Sequence, residues 1–232
     1  MKLRPMLVAL AALAVAVPAM IADAQPRRAA AQRDWSRSIV ATPEGGYRMG
    51  NPNAQVRIVE YLSLTCPHCR QFAATGMPQL MPQIRSGRTS VEYRNFVLNQ
   101  VDLAAAMLSR CVSPTNYFRF TDAILASQPN WMPRVQDMTD ESASTPAAAM
   151  QHLGRIVTTG GLDRMAVQYG MTPASVRTCM SDRRGLDRII AMREAGERAG
   201  VTGTPSFSVN GRLAAHAHDW ESLAPLIPPA RR

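Results

Sequence analysis

Lysine is almost missing from this sequence: Lys2 is the only one, and the formal net charge of +9 rests on arginine. With abundant alanine, this reflects a GC-rich bacterial genome more than a mechanism. Aromatic residues are scarce at 6%, and none is interleaved with basic residues as a base-stacking platform requires. The arginines are also scattered, with Arg27, Arg28, Arg33 and Arg37 near the start, Arg183, Arg184 and Arg188 in one segment, and Arg231 and Arg232 at the tail. A pI near 10.2 therefore does not mark a nucleic-acid binder. Cysteine is scarce too, four in 232 residues, and a chain this long buries a core without disulfides. Cys66 and Cys69 are the only close pair. A four-ligand zinc site needs a second pair, whereas Cys111 and Cys179 stand apart with no histidine at ligand spacing. No metal and no cofactor is expected. Internal repeats are lacking, as are long apolar runs after the first two dozen residues.

Those first residues are distinctive. Lys2 and Arg4, an apolar run from Met6 to Ile21 and the small-residue end Ala22-Asp23-Ala24 have the layout of a secretory signal peptide over 1–24. The run falls short of the roughly 20 residues of a bilayer span and Pro18 interrupts it, so cleavage after Ala24 is expected rather than retention as an anchor. A soluble, exported, periplasmic protein follows from that address. Residues 25–45, rich in Ala, Arg and Gln without apolar period, read as a flexible leader, with order beginning near Tyr47.

Val56 to Leu62 reads as a buried strand. Pro67 opens a helix to about Arg85, with a kink or break expected at Gly76-Met77-Pro78. A second strand is expected from Val91 to about Leu98. From about Gln100 to Ser181 the pattern becomes helical, with stripes at Tyr117, Phe120, Ile124 and Leu125 and at Leu162, Met165, Ala166 and Tyr169. Asn130 to Pro146 is a long connection. Asp182 can cap a helix to about Ala199, ended by Gly200. Ser206 to Val209, Asn210-Gly211 and Arg212 to Ala215 form a type I′ hairpin signal, and Asp219 to Leu226 a last short helix.

Two cysteines three apart on a helix share one face, with Cα atoms about 5 to 6 Å apart, inside disulfide range. Cys66 falls at the helix N-terminus, where free N–H groups and the dipole favour a thiolate. It is the expected nucleophile, Cys69 the resolving thiol, and His68 a second stabiliser of the thiolate. A more stable thiolate makes the disulfide more oxidising. An inert bridge is the weaker reading, because so small a loop contributes little. Glu60 is a carboxylate in an apolar strand. It is either buried for a task or left in water at a strand edge.

The run Val59-Glu60-Tyr61-Leu62-Ser63-Leu64-Thr65-Cys66-Pro67-His68-Cys69-Arg70-Gln71-Phe72 resembles the active-site strand and helix of the DsbA family of thiol:disulfide oxidoreductases. The similarity covers about Tyr47 to Leu226, including Arg94, Phe96 and the Ala104 to Ala106 helix, while 130–160 match no named element. It implies an α/β thioredoxin-like fold interrupted by an all-helical insertion: 46–99 and 182–232 as the two thioredoxin-like parts, 100–181 as the insertion. By the same resemblance Pro67-His68 is the dipeptide of oxidising members, Cys66 attacks and Cys69 resolves. Glu60 moves protons behind the pair. Pro205 is cis, and Thr204 offers its backbone to substrate. Threonine before that proline looks like the isomerase branch, DsbC and DsbG, and its hydroxyl is expected to temper oxidising power. Those isomerases have an N-terminal dimerisation domain for which the leader is too short and polar, so an oxidase acting as a monomer is expected. The implied partners are reduced exported proteins and a membrane quinone-coupled reoxidant resembling DsbB.

Disulfide isomerase or reductase activity, and a non-redox peptide-binding chaperone using the same groove, are the alternatives. Cys111 and Cys179 are either two buried thiols or, with an even count in an oxidising compartment, a structural disulfide worth roughly 4 kcal/mol by loop closure. A subset of the family carries such a bridge as a tuning element. His152 is placed on a helix; His216 and His218, whose i, i+2 spacing on a strand could bind a metal, are read instead as surface residues, and Met77 and Met81 as fillers of packing gaps.

Overall fold

The computed structural model describes residues 33–139 and 143–229. The predicted signal segment and leader residues 25–32 lie outside them. Among the described residues no helix is long and apolar enough to cross a membrane.

A six-stranded sheet runs in the order β1 (Ile39–Ala41), β2 (Tyr47–Gly50), β4 (Thr89–Asn95), β3 (Val56–Leu62), β5 (Ser206–Val209), β6 (Arg212–Ala214). The β3/β4 pair is parallel and the others antiparallel. A parallel pair needs a crossover, which α1 (Pro67–Arg85) supplies. The chain leaves β4 into the helices α2 (Gln100–Ser109), α3 (Tyr117–Ala126), α4 (Gln128–Trp131), α5 (Pro146–Gly160), α6 (Leu162–Gln168) and α7 (Pro173–Met180). It returns through α8 (Arg183–Arg198) to the β5/β6 hairpin and closes with α9 (Trp220–Leu223). This is the thioredoxin-like arrangement with a helical insertion that the resemblance implied.

Local chemistry explains most boundaries. Asn99 caps α2 by accepting from Asp102 N–H at 2.8 Å, and Thr172 closes a capping box at the start of α7. Asn210 and Gly211 both have positive φ, 52° and 83°, as a type I′ turn demands. Asn210 also ties that turn to β3, its side-chain oxygen accepting from Arg57 N–H at 2.9 Å.

Several expectations are corrected. Order begins before Tyr47: β1 lies in the stretch read as leader, and the Trp35 ring sits so close to Gly87 that a Cβ there would fall 2.5 Å from it. A three-residue edge strand is too short to show a period. The second strand ends at Asn95 rather than Leu98. Phe96 N–H still donates to Leu62 O, but Leu98 N–H turns away to the Asp102 carboxylate at 2.9 Å. α1 runs unbroken through Pro78 and Pro82. Each proline leaves the carbonyl four residues earlier without its donor, and those carbonyls belong to Ala74 and Pro78, which face solvent. Asp182 stands at the cap of α8 without a side-chain bond to it and pairs with Arg188 at 3.4 Å. His152 lies on a helix as expected and is buried, with Nε2 3.0 Å from Met138 O. It shares the inward face of α5 with Leu153, Ile156 and Val157. Met77 lies in the core with Met81 packed against it.

A disulfide joins Cys111, just past α2, to Cys179 in α7, closing a sequence separation of 68. Replacing both cysteines by alanine is expected to lower the unfolding free energy by about 4 kcal/mol on the loop-entropy argument. Urea denaturation of the two proteins measures the difference, and an unchanged midpoint would contradict it.

Candidate active site

Three segments meet at the C-terminal end of β3. The first is the turn Ser63-Leu64-Thr65, which the helical insertion clamps from outside. Leu64 N–H donates to Asp102 Oδ1 at 2.8 Å, and Gln128 Nε2 donates to Leu64 O at 2.8 Å and to Cys66 O at 3.0 Å. Ser63 and Thr65 bond to each other inside the turn. Neither Asp102 nor Gln128 is marked by any local motif. Their contribution rests on contacts 38 and 62 or more residues away.

The second segment is the start of α1. Cys66 is its N-cap in extended conformation, Pro67 follows at the first helical position, and Cys69 lies one turn in. Cys66 is 7% exposed and Cys69 0%, and both are free thiols. Pro67 and His68 are exposed between them. The third segment is the approach to β5, where the Thr204–Pro205 peptide is cis. Cys66 Sγ donates to Thr204 O at 3.2 Å across this junction.

The two sulfurs are held unequally. The Cys69 thiol beside it, the Thr204 hydroxyl and the N–H groups of Cys69 and His68 bring the Cys66 thiol down to about 5 against the opposing effect of burial. Here His68 acts through its main chain. Burial first, then the neighbouring Cys66 sulfur and Glu60, push the Cys69 thiol well above its ordinary value. Thr204 Oγ1 is buried without a hydrogen-bond partner.

Glu60 is in the middle of β3, flanked by β4 and β5, and is 1% exposed. The strand-edge reading is excluded. Burial, with the nearby charges of Asp122 and Cys66, holds its carboxyl well above the usual range. His218, read from sequence as a surface residue, is exposed but turned inward to the site. Its Nδ1 lies 2.9 Å from Pro205 O, and the Asp219 capping box of α9 fixes the loop that carries it. Nothing in the i, i+2 spacing with His216 marks this role. Among the described residues no group of three His, Cys, Asp or Glu could hold a metal ion.

A family model described as thioredoxin matches residues 42–228. A solved protein-disulfide isomerase from Novosphingobium aromaticivorans is 31% identical, with TM-score 0.67 over 77% of this chain and 93% of that one. The chain belongs to the DsbA-like family of thioredoxin-fold proteins. The solved alpha-DsbA1 of Wolbachia pipientis shares the fold with TM-score 0.62 at 22% identity, over 78% and 88% of the two chains. A Rickettsia bellii protein, provisionally named a protein-disulfide oxidoreductase, is 30% identical over 166 residues, 70% of this DsbA-like chain. The chain spans about half the length of the curated relatives it matches, 56% in that case.

Alkylation tests the asymmetry of the pair. In the reduced protein Cys66 is expected to react with iodoacetamide along a titration centred near pH 5, while Cys69 stays unmodified until well above its ordinary range. Mass spectrometry of the alkylated peptides reads both. Equal labelling of the two cysteines at neutral pH would refute the assignment.

Proposed function

We propose that this protein is a periplasmic thiol:disulfide oxidoreductase that introduces disulfides into exported proteins. The observation that carries this reading is the Cys66 thiol at a helix N-terminus, 3.2 Å from Thr204 O and one turn from a fully buried Cys69, an arrangement that lowers the first thiol and raises the second. A thiolate that is stable when reduced is a good leaving group from a mixed disulfide. In the first step a substrate thiolate attacks Cys66 Sγ, the Cys66–Cys69 bond breaks, and Cys69 leaves with the electron pair and takes a proton. A second substrate thiolate then attacks the substrate sulfur of the mixed disulfide and expels the Cys66 thiolate. The substrate dithiol is oxidised by two electrons and the enzyme is left as the dithiol.

Thr204 and Pro205 form the substrate edge in this scheme. The Thr204 carbonyl, engaged by Cys66 in the free protein, belongs to the backbone that an extended peptide would meet. His218 steadies the Pro205 carbonyl next to it. Reoxidation falls to a membrane quinone-coupled oxidase resembling DsbB, and the protein acts as a monomer. The signal-like start of the sequence supports the periplasmic address. An isomerase reading is favoured by two specific observations, Thr204 before the proline and the name of the Novosphingobium relative.

Incubation of the oxidised protein with a reduced two-cysteine peptide is expected to yield oxidised peptide, and Cys66→Ser to abolish this while leaving peptide binding in place. Recovery of activity from a scrambled-disulfide protein, without net oxidation of the peptide, would assign the isomerase instead. The same chemistry has a pH signature in stability. The Cys66 thiol is lower in the folded protein than its ordinary value of 9.0, so its stabilisation of the reduced form is complete above that value and is lost as pH falls through about 5. The stability of the reduced relative to the oxidised protein should therefore rise between about pH 5 and about pH 9. Paired urea titrations measure it, and a difference independent of pH would refute the thiolate argument.

A further inference from the structure

Cys69 must gain a proton when the disulfide opens and lose it when the disulfide forms again, yet it is fully enclosed. Glu60, whose charge reaches the Cys69 thiol, is also enclosed, with Oε2 lacking any hydrogen-bond partner. A carboxyl sealed from water can serve one turnover, after which its own proton must be replaced. The structure contains a row of groups suited to this. Tyr93 on β4 is the register partner of Glu60 on the parallel strand β3, so the two side chains rise from the same face of the sheet. Tyr93 is 0% exposed, and its hydroxyl donates to Asp122 Oδ1 at 3.3 Å. Asp122 on α3 is only half-buried. It lines an open pocket of about 640 Å³ with Pro67, His68, Arg70 and Gln71, beside the mouth of the dithiol.

We propose that Tyr93 and Asp122 are the outer half of the proton path to Cys69, with the pocket beside Pro67 as its entrance. The inference rests on the exchange chemistry proposed above for Cys66 and Cys69, though not on its direction. When a thiolate breaks the Cys66–Cys69 bond, the Cys69 thiolate takes the Glu60 proton. The Glu60 carboxylate takes the Tyr93 hydroxyl proton, Tyr93 takes that of the Asp122 carboxyl, and Asp122 is reprotonated by water in the pocket. One proton enters at Asp122 and one arrives at Cys69. In reoxidation each transfer reverses.

The surroundings suit Asp122 to the role. From β4 it accepts from the Tyr93 hydroxyl, and from β3 the Glu60 carboxyl feels its charge. Tyr117 of α3 adds a buried hydroxyl. α1 contributes His68 and Arg70 on the pocket wall. α2 brings Asp102, whose carboxylate is taken up by the Leu64 and Leu98 N–H groups, and α4 brings the uncharged Gln128. Burial lifts the Asp122 carboxyl to about 7, so the group exchanges protons near neutral pH with little driving force lost in either direction.

Asp122→Asn tests the proposal because asparagine preserves the shape and an acceptor for Tyr93 but carries no proton to pass. The measurement is the rate at which excess dithiothreitol reduces the oxidised full-length protein, followed by thiol trapping and expressed per dithiothreitol thiolate across pH. The wild-type rate should fall as pH rises through about 7, where Asp122 loses its proton. Below that pH the variant should be slower by about tenfold and lack the inflection. Tyr93→Phe should reproduce the variant profile. A wild-type profile without the inflection overturns the proposal even if no variant folds. So does an Asp122→Asn profile superimposable on wild type, whatever its Tm, or a Tyr93→Phe protein that keeps the wild-type profile. Failure to oxidise a dithiol peptide, with the pH profile intact, would instead remove the oxidase reading and leave the path standing.

Discussion

Two sulfur atoms one helical turn apart meet opposite environments, and the site depends on that contrast. Cys66 stands at the end of α1 where N–H groups converge without partners, while Cys69 is driven one turn deeper, against β3 and away from water. The same helix that brings the sulfurs within bonding reach thus separates their acidities. A flat surface could provide proximity but not the difference. It takes a helix starting at the C-terminal end of a central strand, with the sheet sealing its inner face.

The helical insertion is part of this arrangement rather than an appendage. Asp102 of α2 holds the Leu64 and Leu98 amides together, joining the turn before Cys66 to the chain leaving β4. Gln128 of α4 holds the carbonyls of Leu64 and Cys66. These bonds fix the backbone from which Cys66 projects, and they lie in buried surroundings where an unmet partner is costly. Asp102 is lifted by burial to about 6 in spite of the two amides it accepts. The Cys111–Cys179 bridge secures α2 against α7 behind that clamp.

Much of the fold was legible because its signals are local. The β3 run, the Pro67 helix start, the Asn210-Gly211 turn and the Gly200 stop all reflect what a few neighbouring residues permit the backbone to do. Errors came where a neighbour distant in sequence overrode the local pattern. Phe96-Val97-Leu98 looks like the end of a strand, but Asp102 draws Leu98 out of the sheet. Pro78 looks like a break, but its exposed face lets solvent satisfy the carbonyl it leaves. Trp35 and β1 look like leader, but they gain order from Gly87 and β2.

The site divides along the same line. The amino-acid sequence by itself determined the reacting pair and the end of the helix on which Cys66 sits, because the spacing of Cys66 and Cys69 and the preference of Pro67 for a first turn are properties of a short stretch of chain. Only the tertiary structure decided that Glu60 is enclosed, that Thr204 presents its carbonyl to Cys66, and that the exposed His218 reaches the Pro205 carbonyl. It also decided that the enclosed Tyr93 donates to Asp122, which lines an open pocket. Burial and long-range hydrogen bonding set these properties, and both depend on which distant segments pack together, which no local pattern records.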